Sequence, residues 1–263
     1  MKQMLDKEKY LEYKLHLLDK LNTVETNNDP FKNVFIRNIL HPELYENLYE
    51  NVIVNLYKNE NEIKRINDKS HISTKYIIKL FTDDDIKYSI LKKFYISLEN
   101  FFNISINTDD FMYTYFPQNS TQEIHTDMPY KFLSFVFYFP DRNVELSQEE
   151  KNKNGTILYD KKLDPHYINT YEENSMCVFA PHFYTYHGYK TTINRAALVI
   201  FYTDTKNPPT KKSDFFPNST EFMFQVYDKL KKFSLIEYKD PDKLNHEIKN
   251  CLVNSMSGKV INT

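Results

Sequence analysis

Two apolar runs, Phe111-Met-Tyr-Thr-Tyr-Phe116 and Lys131-Phe-Leu-Ser-Phe-Val-Phe-Tyr-Phe139, bracket the tripeptide His125-Thr126-Asp127. Both runs are short, rich in aromatic or β-branched residues and bounded by polar stretches, which is how strands read. Similar runs follow at 155–159, 176–180, 184–189 and 195–203, separated by polar loops of which 141–154 and 160–174 are the longest. No helical period of any length interrupts this half of the chain. Many short strands without intervening helices predict a sandwich or barrel, not a βαβ sheet.

Outward from this β half the pattern turns helical. Residues 4–21 carry Met4, Leu11, Leu15, Leu18 and Leu21 at a helical period. Thr23 to Pro30 reads as a linker, and Phe31 to Leu40 as a lead-in strand. His41-Pro42-Glu43 opens a helix that turns Leu44, Leu48 and Leu56 to one side. Thr82-Asp83-Asp84-Asp85 opens another, running to about Asn100 with Ile86, Ile90, Leu91, Phe94 and Leu98 inward, its acids at the positive end of the helix dipole. Residues 220–238 return to helix, with Phe222, Val226, Leu230 and Phe233 as a stripe. The expected organisation is mainly β with flanking helices: a helical region over 1–103, a β core over 104–205 and a helical extension over 206–263, in one domain.

Composition limits the partners. With 263 residues, 41% of them hydrophobic and 16% aromatic, the chain can bury a substantial core. A formal charge of −2 supplies no electrostatic motive for nucleic acid or an anionic membrane. Lys211-Lys212 and Lys231-Lys232 have acids nearby and read as solvated faces. Cys177 and Cys251 form neither a disulfide framework nor metal-ligand spacing. The start of the chain lacks the apolar stretch of a signal peptide, and no run is long and apolar enough to span a bilayer. A cytoplasmic location, no membrane and no nucleic acid are the expectations. Only three glycines occur, one of them directly after His187.

Residues i and i+2 of a strand share a face, so His125 and Asp127 can offer a nitrogen and an oxygen to one ion. His187, between two other strands, completes a set of two histidines and one carboxylate that leaves three coordination positions open. A closed four-ligand site could not take a bidentate ligand and then dioxygen. Arginine is scarce here, only Arg37, Arg65, Arg142 and Arg195, and Arg195 heads the last core strand. A guanidinium there suits a bidentate carboxylate better than lysine would. His182 is a rival ligand, five residues before His187. His166 falls in a polar loop, and His16, His41, His71 and His246 sit on helices or loops and read as non-catalytic.

These motifs, over about Tyr113 to Asp204 and joined by the lead-in from Pro30 to Tyr45, resemble the Fe(II)- and 2-oxoglutarate-dependent oxygenases, in their prolyl-hydroxylase-like branch. The resemblance implies a double-stranded β-helix (jelly-roll, cupin-like) core, with Fe(II), 2-oxoglutarate and O2 as cofactor and co-substrates. It implies that His125, Asp127 and His187 bind iron and that Arg195 holds the far carboxylate of 2-oxoglutarate. Tyr138, in Phe137-Tyr138-Phe139-Pro140, would reach the same carboxylate, and Tyr115 would line the cofactor pocket. Related halogenases lack the carboxylate ligand, so Asp127 favours hydroxylation. Two departures are visible: Asn154-Gly155 stands where a glycine pair is usual, and Gly188-Tyr-Lys-Thr-Thr-Ile-Asn194 lacks the Pro-Val element of many protein prolyl hydroxylases. Both weigh against a protein proline. The expected substrate is a small polar metabolite such as an amino acid, taken at a mouth rimmed by loops 141–154 and 160–174 and the N-terminal helices. A peptidyl hydroxylase, a cupin-type enzyme without 2-oxoglutarate and a non-catalytic binding protein are the alternatives.

Overall fold

The computed structural model describes residues 5–58, 62–95, 103–127, 131–181 and 185–204, the side chains of 107–110 and 204 excepted. The expected helix at 220–238, the extension over 206–263, His182, His246, Cys251, Met4 and Leu98 lie outside the described residues.

Among the described residues ten strands form two antiparallel sheets. In chain order they are β1 (Asn33–Arg37), β2 (Lys64–Ile66), β3 (Ile104–Phe116), β4 (Thr121–His125), β5 (Lys131–Phe139), β6 (Thr156–Tyr159), β7 (Pro165–Asn169), β8 (Ser175–Phe179), β9 (His187–Lys190) and β10 (Arg195–Asp204). The large sheet has the order β1-β8-β5-β10-β3-β2 and the small sheet β4-β9-β6-β7. From β3 onward the chain passes back and forth between the sheets, the winding of a double-stranded β-helix. The lead-in strand β1 and the short β2 are the two edges of the large sheet, so the N-terminal third contributes to the β core as well as to its cover.

The large sheet is apolar on both faces because both are covered. Every residue of β5 except Val136 is buried, which is why it reads as a continuous apolar run and not an alternation. Its outer face carries Phe135, Phe137, Phe139, Tyr113, Tyr115, Val178 and Leu198, packed under the helices α1 (Lys7–Thr23), α2 (Pro42–Leu48), α4 (Ile72–Phe81) and α5 (Asp84–Leu91). Its inner face carries Tyr138, Cys177 and Phe179, which join Phe31, Leu158 and Tyr171 in a second cluster between the sheets. Caps fix the helix starts. Pro42 follows the His41 cap of α2, and Asp83 caps α5 by accepting from the Asp85 amide.

Several expectations change. The N-terminal helices cover the outer face of the large sheet. Within α1, Leu11 and Leu15 are exposed and the buried face is Tyr13, Leu17 and Leu21. Tyrosine, with more area to bury and Tyr76 to pack against, wins that face. The α5 helix ends at Leu91, short of Asn100, and a helical α4 precedes it. Loop 141–154 contains α6 (Gln148–Lys153), closed by a capping box between Ser147 and Glu150, and loop 160–174 contains β7. A π-helical turn (Tyr49–Ile53) links α2 to α3 (Val54–Tyr57). Among the described residues no helix is long and apolar enough to cross a membrane.

Candidate functional site

His125 ends β4 and His187 begins β9, and the two are directly paired across the small sheet. A register shift makes this pairing: Gln122 faces Tyr189, and one extra residue of β4 then intervenes before His125 faces His187. Such a bulge re-aims a side chain. Gly188 permits it, because a Cβ there would lie 2.9 Å from the Gln122 carbonyl oxygen. Asp127 lies two residues past the strand end, so backbone bending after His125, not strand alternation, brings its carboxylate to the histidines.

One donor atom from each of His125, Asp127 and His187 lies within 4.8 Å of the other two. The ring centroids of His125 and His187 are 4.3 Å apart, and His187 Nε2 is 3.8 Å from Asp127 Oδ2. Each imidazole turns Nδ1 to a backbone carbonyl, His125 to Glu123 at 2.7 Å and His187 to Thr185 at 3.0 Å. A carbonyl only accepts, so Nδ1 carries the proton and the Nε2 lone pair is left for an ion. Burial pushes the His187 imidazole down to about 4, His125 acting in the same sense and Asp127 against it. Burial alone would raise the Asp127 carboxyl, but the Lys131 ammonium outweighs it, helped by both histidines and the Ser134 hydroxyl. The carboxyl is held well below the usual range. Two imidazoles with Nδ1 tied to carbonyls and an ionised carboxylate fit a divalent first-row metal.

The large sheet braces these ligands from the facing side. Lys131 Nζ donates to Asp127 Oδ1 at 3.0 Å and Ser134 Oγ donates to Asp127 Oδ2 at 2.6 Å. Phe179, register partner of Ser134, packs its ring 4.5 Å from that of His187.

Further along the inner face lies Arg195, 1% exposed at the head of β10. Its Nε donates to the Asn154 carbonyl at 3.1 Å, and Nη2 reaches Thr156 Oγ1 at 3.4 Å. Its guanidinium carbon sits 3.9 Å from the Tyr189 ring centroid. Among the described residues no carboxylate pairs with it. Tyr138 approaches from β5, its hydroxyl donating to the same Thr156 Oγ1 at 2.6 Å. Tyr171 closes the space behind, with its ring 5.5 Å from the guanidinium and its hydroxyl bonded to Phe139 O and to both the amide and carbonyl of Ala196. Asn154, standing where a glycine pair was expected, accepts from the Thr192 amide and so ties α6 to the turn before Arg195. Loops 141–154 and 160–174 thus meet the Arg195 end of the inner space.

The structure brings together His125, Asp127, His187, Arg195 and Tyr138. It does not bring Tyr115 to them. Tyr115 pairs with Ala196 on β10 and Arg195 with Phe116, so Tyr115 points to the helix-covered face, against Tyr57. Of the histidines read as non-catalytic, His41 and His71 cap helices and His166 bonds Asp29. Tyr189, Thr156, Ser134 and Lys131 were not singled out from the sequence. Tyr189 was within reach, since it lies two residues from His187 and shares its face.

No protein-family model matches the sequence, and no curated protein does. Solved structures do match. A prolyl 4-hydroxylase from Phytophthora capsici is similar with a TM-score of 0.50 and 11% identity, over 97% of this chain and 86% of that one. A Trichoplax adhaerens prolyl hydroxylase, solved with a hypoxia-inducible-factor peptide fragment, gives a TM-score of 0.48 and 16% identity over 76% of this chain and 92% of that one. A Pseudomonas putida prolyl-4-hydroxylase gives 0.46 and 13% over 71% and 96%. At 11% identity the likeness to the Phytophthora protein speaks for the fold alone. This chain has the double-stranded β-helix fold, shared with that prolyl 4-hydroxylase, and its His-Asp-His cluster lies where β4 ends and β9 begins.

Proposed function

We propose that this protein is an Fe(II)- and 2-oxoglutarate-dependent hydroxylase, acting in the cytoplasm on a small polar molecule such as an amino acid. One observation carries the reading: Arg195 is a buried guanidinium with no carboxylate partner among the described residues, stacked on the tyrosine two positions from His187. A buried cation without a counter-ion is costly, and a ligand carboxylate would supply one.

In this reading His125 and His187 hold Fe(II) through Nε2 and Asp127 through a carboxylate oxygen. Bound iron supplies dioxygen activation, coupling conversion of 2-oxoglutarate to succinate and CO2 with hydroxylation of a substrate C–H bond. The chain does the rest. His187 is already neutral near pH 7 and Asp127 already ionised, so neither must lose a proton to bind. Arg195 presents a two-pronged donor to the far carboxylate, with the Tyr138 hydroxyl beside it and Thr156 orienting both. Leu158, Phe179 and Val136 wall the inner space with apolar surface and exclude water. Tyr115 has no part in this arrangement.

The lack of a Pro-Val element after His187 supports a small substrate over a protein proline. The fold shared with a prolyl 4-hydroxylase keeps a peptidyl residue as the second reading. Arg195 argues against a cupin-type enzyme, which needs no carboxylate anchor. The test is anaerobic addition of Fe(II) and then 2-oxoglutarate, watching for the weak visible charge-transfer band of the chelate. The band is expected in the wild type and lost in Arg195→Ala and His187→Ala. Amino acids and proline-containing peptides are then compared for succinate release. Iron binding without a band overturns the 2-oxoglutarate reading.

A further inference from the structure

The two oxygens of Asp127 are held differently. Oδ2 faces the cluster, 3.8 Å from His187 Nε2, and accepts from Ser134 at 2.6 Å. Oδ1 accepts from the Lys131 ammonium at 3.0 Å. An ionised carboxylate has about four lone-pair sites, so Oδ2 keeps one for an ion after the serine takes another. Oδ1 is shut off by a charge. Lys131 is not a loose surface residue: its side chain is 11% exposed, and its ammonium lies 3.3 Å from the centroid of the Phe201 ring.

We infer that Lys131 keeps Asp127 a one-oxygen ligand and thereby keeps open the coordination position that a chelating 2-oxo acid needs; this rests on the proposed function. For an ion to take both oxygens it would have to sit beside an ammonium in a poorly solvated site, where like charges repel strongly. A carboxylate bound through both oxygens would fill one of the three positions that the His-Asp-His set leaves free. The chelate would then compete with the protein's own ligand. Ser134 has the complementary part: it aims Oδ2. Both are positioning residues.

The experiment compares wild type, Lys131→Met, Lys131→Gln, Lys131→Arg and Ser134→Ala. Fe(II) affinity is measured by competition with a colorimetric chelator, and 2-oxoglutarate affinity by titrating the visible band anaerobically. The coordination number is followed in the visible absorption of the Co(II)-loaded protein. Lys131→Met should bind Fe(II) at least as tightly as wild type, bind 2-oxoglutarate at least tenfold more weakly, and alter the Co(II) spectrum before 2-oxo acid is added. Lys131→Gln should move in the same direction, and covers the case in which Lys131→Met does not fold. Lys131→Arg should restore both readings. Ser134→Ala should lose several-fold in Fe(II) affinity while its loaded form binds 2-oxoglutarate within about twofold of wild type. Unchanged 2-oxoglutarate affinity and Co(II) spectrum in Lys131→Met and Lys131→Gln overturn the inference. So does a loss of Fe(II) affinity in these variants with normal 2-oxoglutarate binding by the metal they retain. A wild type that binds iron but shows no band overturns the proposed function instead.

Discussion

Tyr189 and Arg195 stack, the guanidinium carbon lying 3.9 Å from the ring centroid, and Tyr189 shares its strand face with His187. One short strand therefore carries a proposed metal ligand at one position and the support of the proposed carboxylate anchor two positions later. A cation over an aromatic ring is worth about 0.5–2 kcal/mol. Tyr189→Leu should weaken 2-oxoglutarate binding roughly 2–30-fold with Fe(II) affinity unchanged, read by titration of the visible band. A parallel loss of Fe(II) affinity would mean that the strand itself had moved.

Arg195→Met should separate binding from stability. Removing a buried charge that has no carboxylate partner among the described residues relieves a desolvation cost, so the ligand-free protein should melt no lower than wild type. The rise in melting temperature that 2-oxoglutarate gives the metal-loaded wild type should vanish. Arg195→Lys should recover only part of it, because an ammonium lacks the planar fork.

Thr156 accepts from both Tyr138 and Arg195. Thr156→Val preserves shape and strands two buried donors, each of which costs about 1–3 kcal/mol when left unpaired. A lower melting temperature and weaker 2-oxoglutarate binding should appear together. Unchanged stability would show that water replaces the hydroxyl.

Gly188→Ala forces a Cβ to 2.9 Å from a backbone oxygen of the facing strand, where no side chain can yield. The β4 bulge has to shift, at about 1–3 kcal/mol by analogy with overpacking. Since that bulge sets His125 opposite His187, Fe(II) affinity should fall more than stability does. Chelator competition and thermal melting on the same samples give the comparison.

His187 supplies a pH dependence in the metal-free protein. Its folded pKa, pushed to about 4, lies below the ordinary 6.5, so between those values the unfolded chain binds more protons than the folded one. The stability from burying the neutral ring is complete above pH 6.5 and is lost as pH falls toward 4, amounting to on the order of 3 kcal/mol. Melting of chelator-treated protein between pH 7 and 4 should show the decline, and His187→Asn should flatten it.

Strands β3, β5, β6, β8, β9 and β10 were legible because each contains a compact aromatic or β-branched run. The His-x-Asp and distal His spacing marked three side chains whose donor atoms the structure gathers within 4.8 Å. Other features were written in contacts and not in pattern. Asp127 fits the i, i+2 rule in sequence, yet it reaches the histidines from beyond the strand, by a bend after His125 that no periodicity announces. Tyr115 shares a strand with residues of both faces, and only the register with Ala196 decides which way it points. In α1 Leu11 and Leu15 look like part of the core stripe, but Tyr13 and Leu17 join Leu21 on the buried side. α6 and β7 are too short to show a period inside their polar loops.

The proposed metal ligands belong to the small sheet and the turn after β4, whereas Ser134, Lys131 and Phe179, which grip Asp127 and His187, stand on the large sheet. The centre is therefore a clasp between two halves of a sandwich. Any breathing that parts the sheets loosens the grip on Asp127 and His187 at once, and an ion held there draws the halves together. Amide exchange in β4, β5, β8 and β9 should accordingly slow as a unit when metal binds, across a seam that no strand ladder among the described residues crosses.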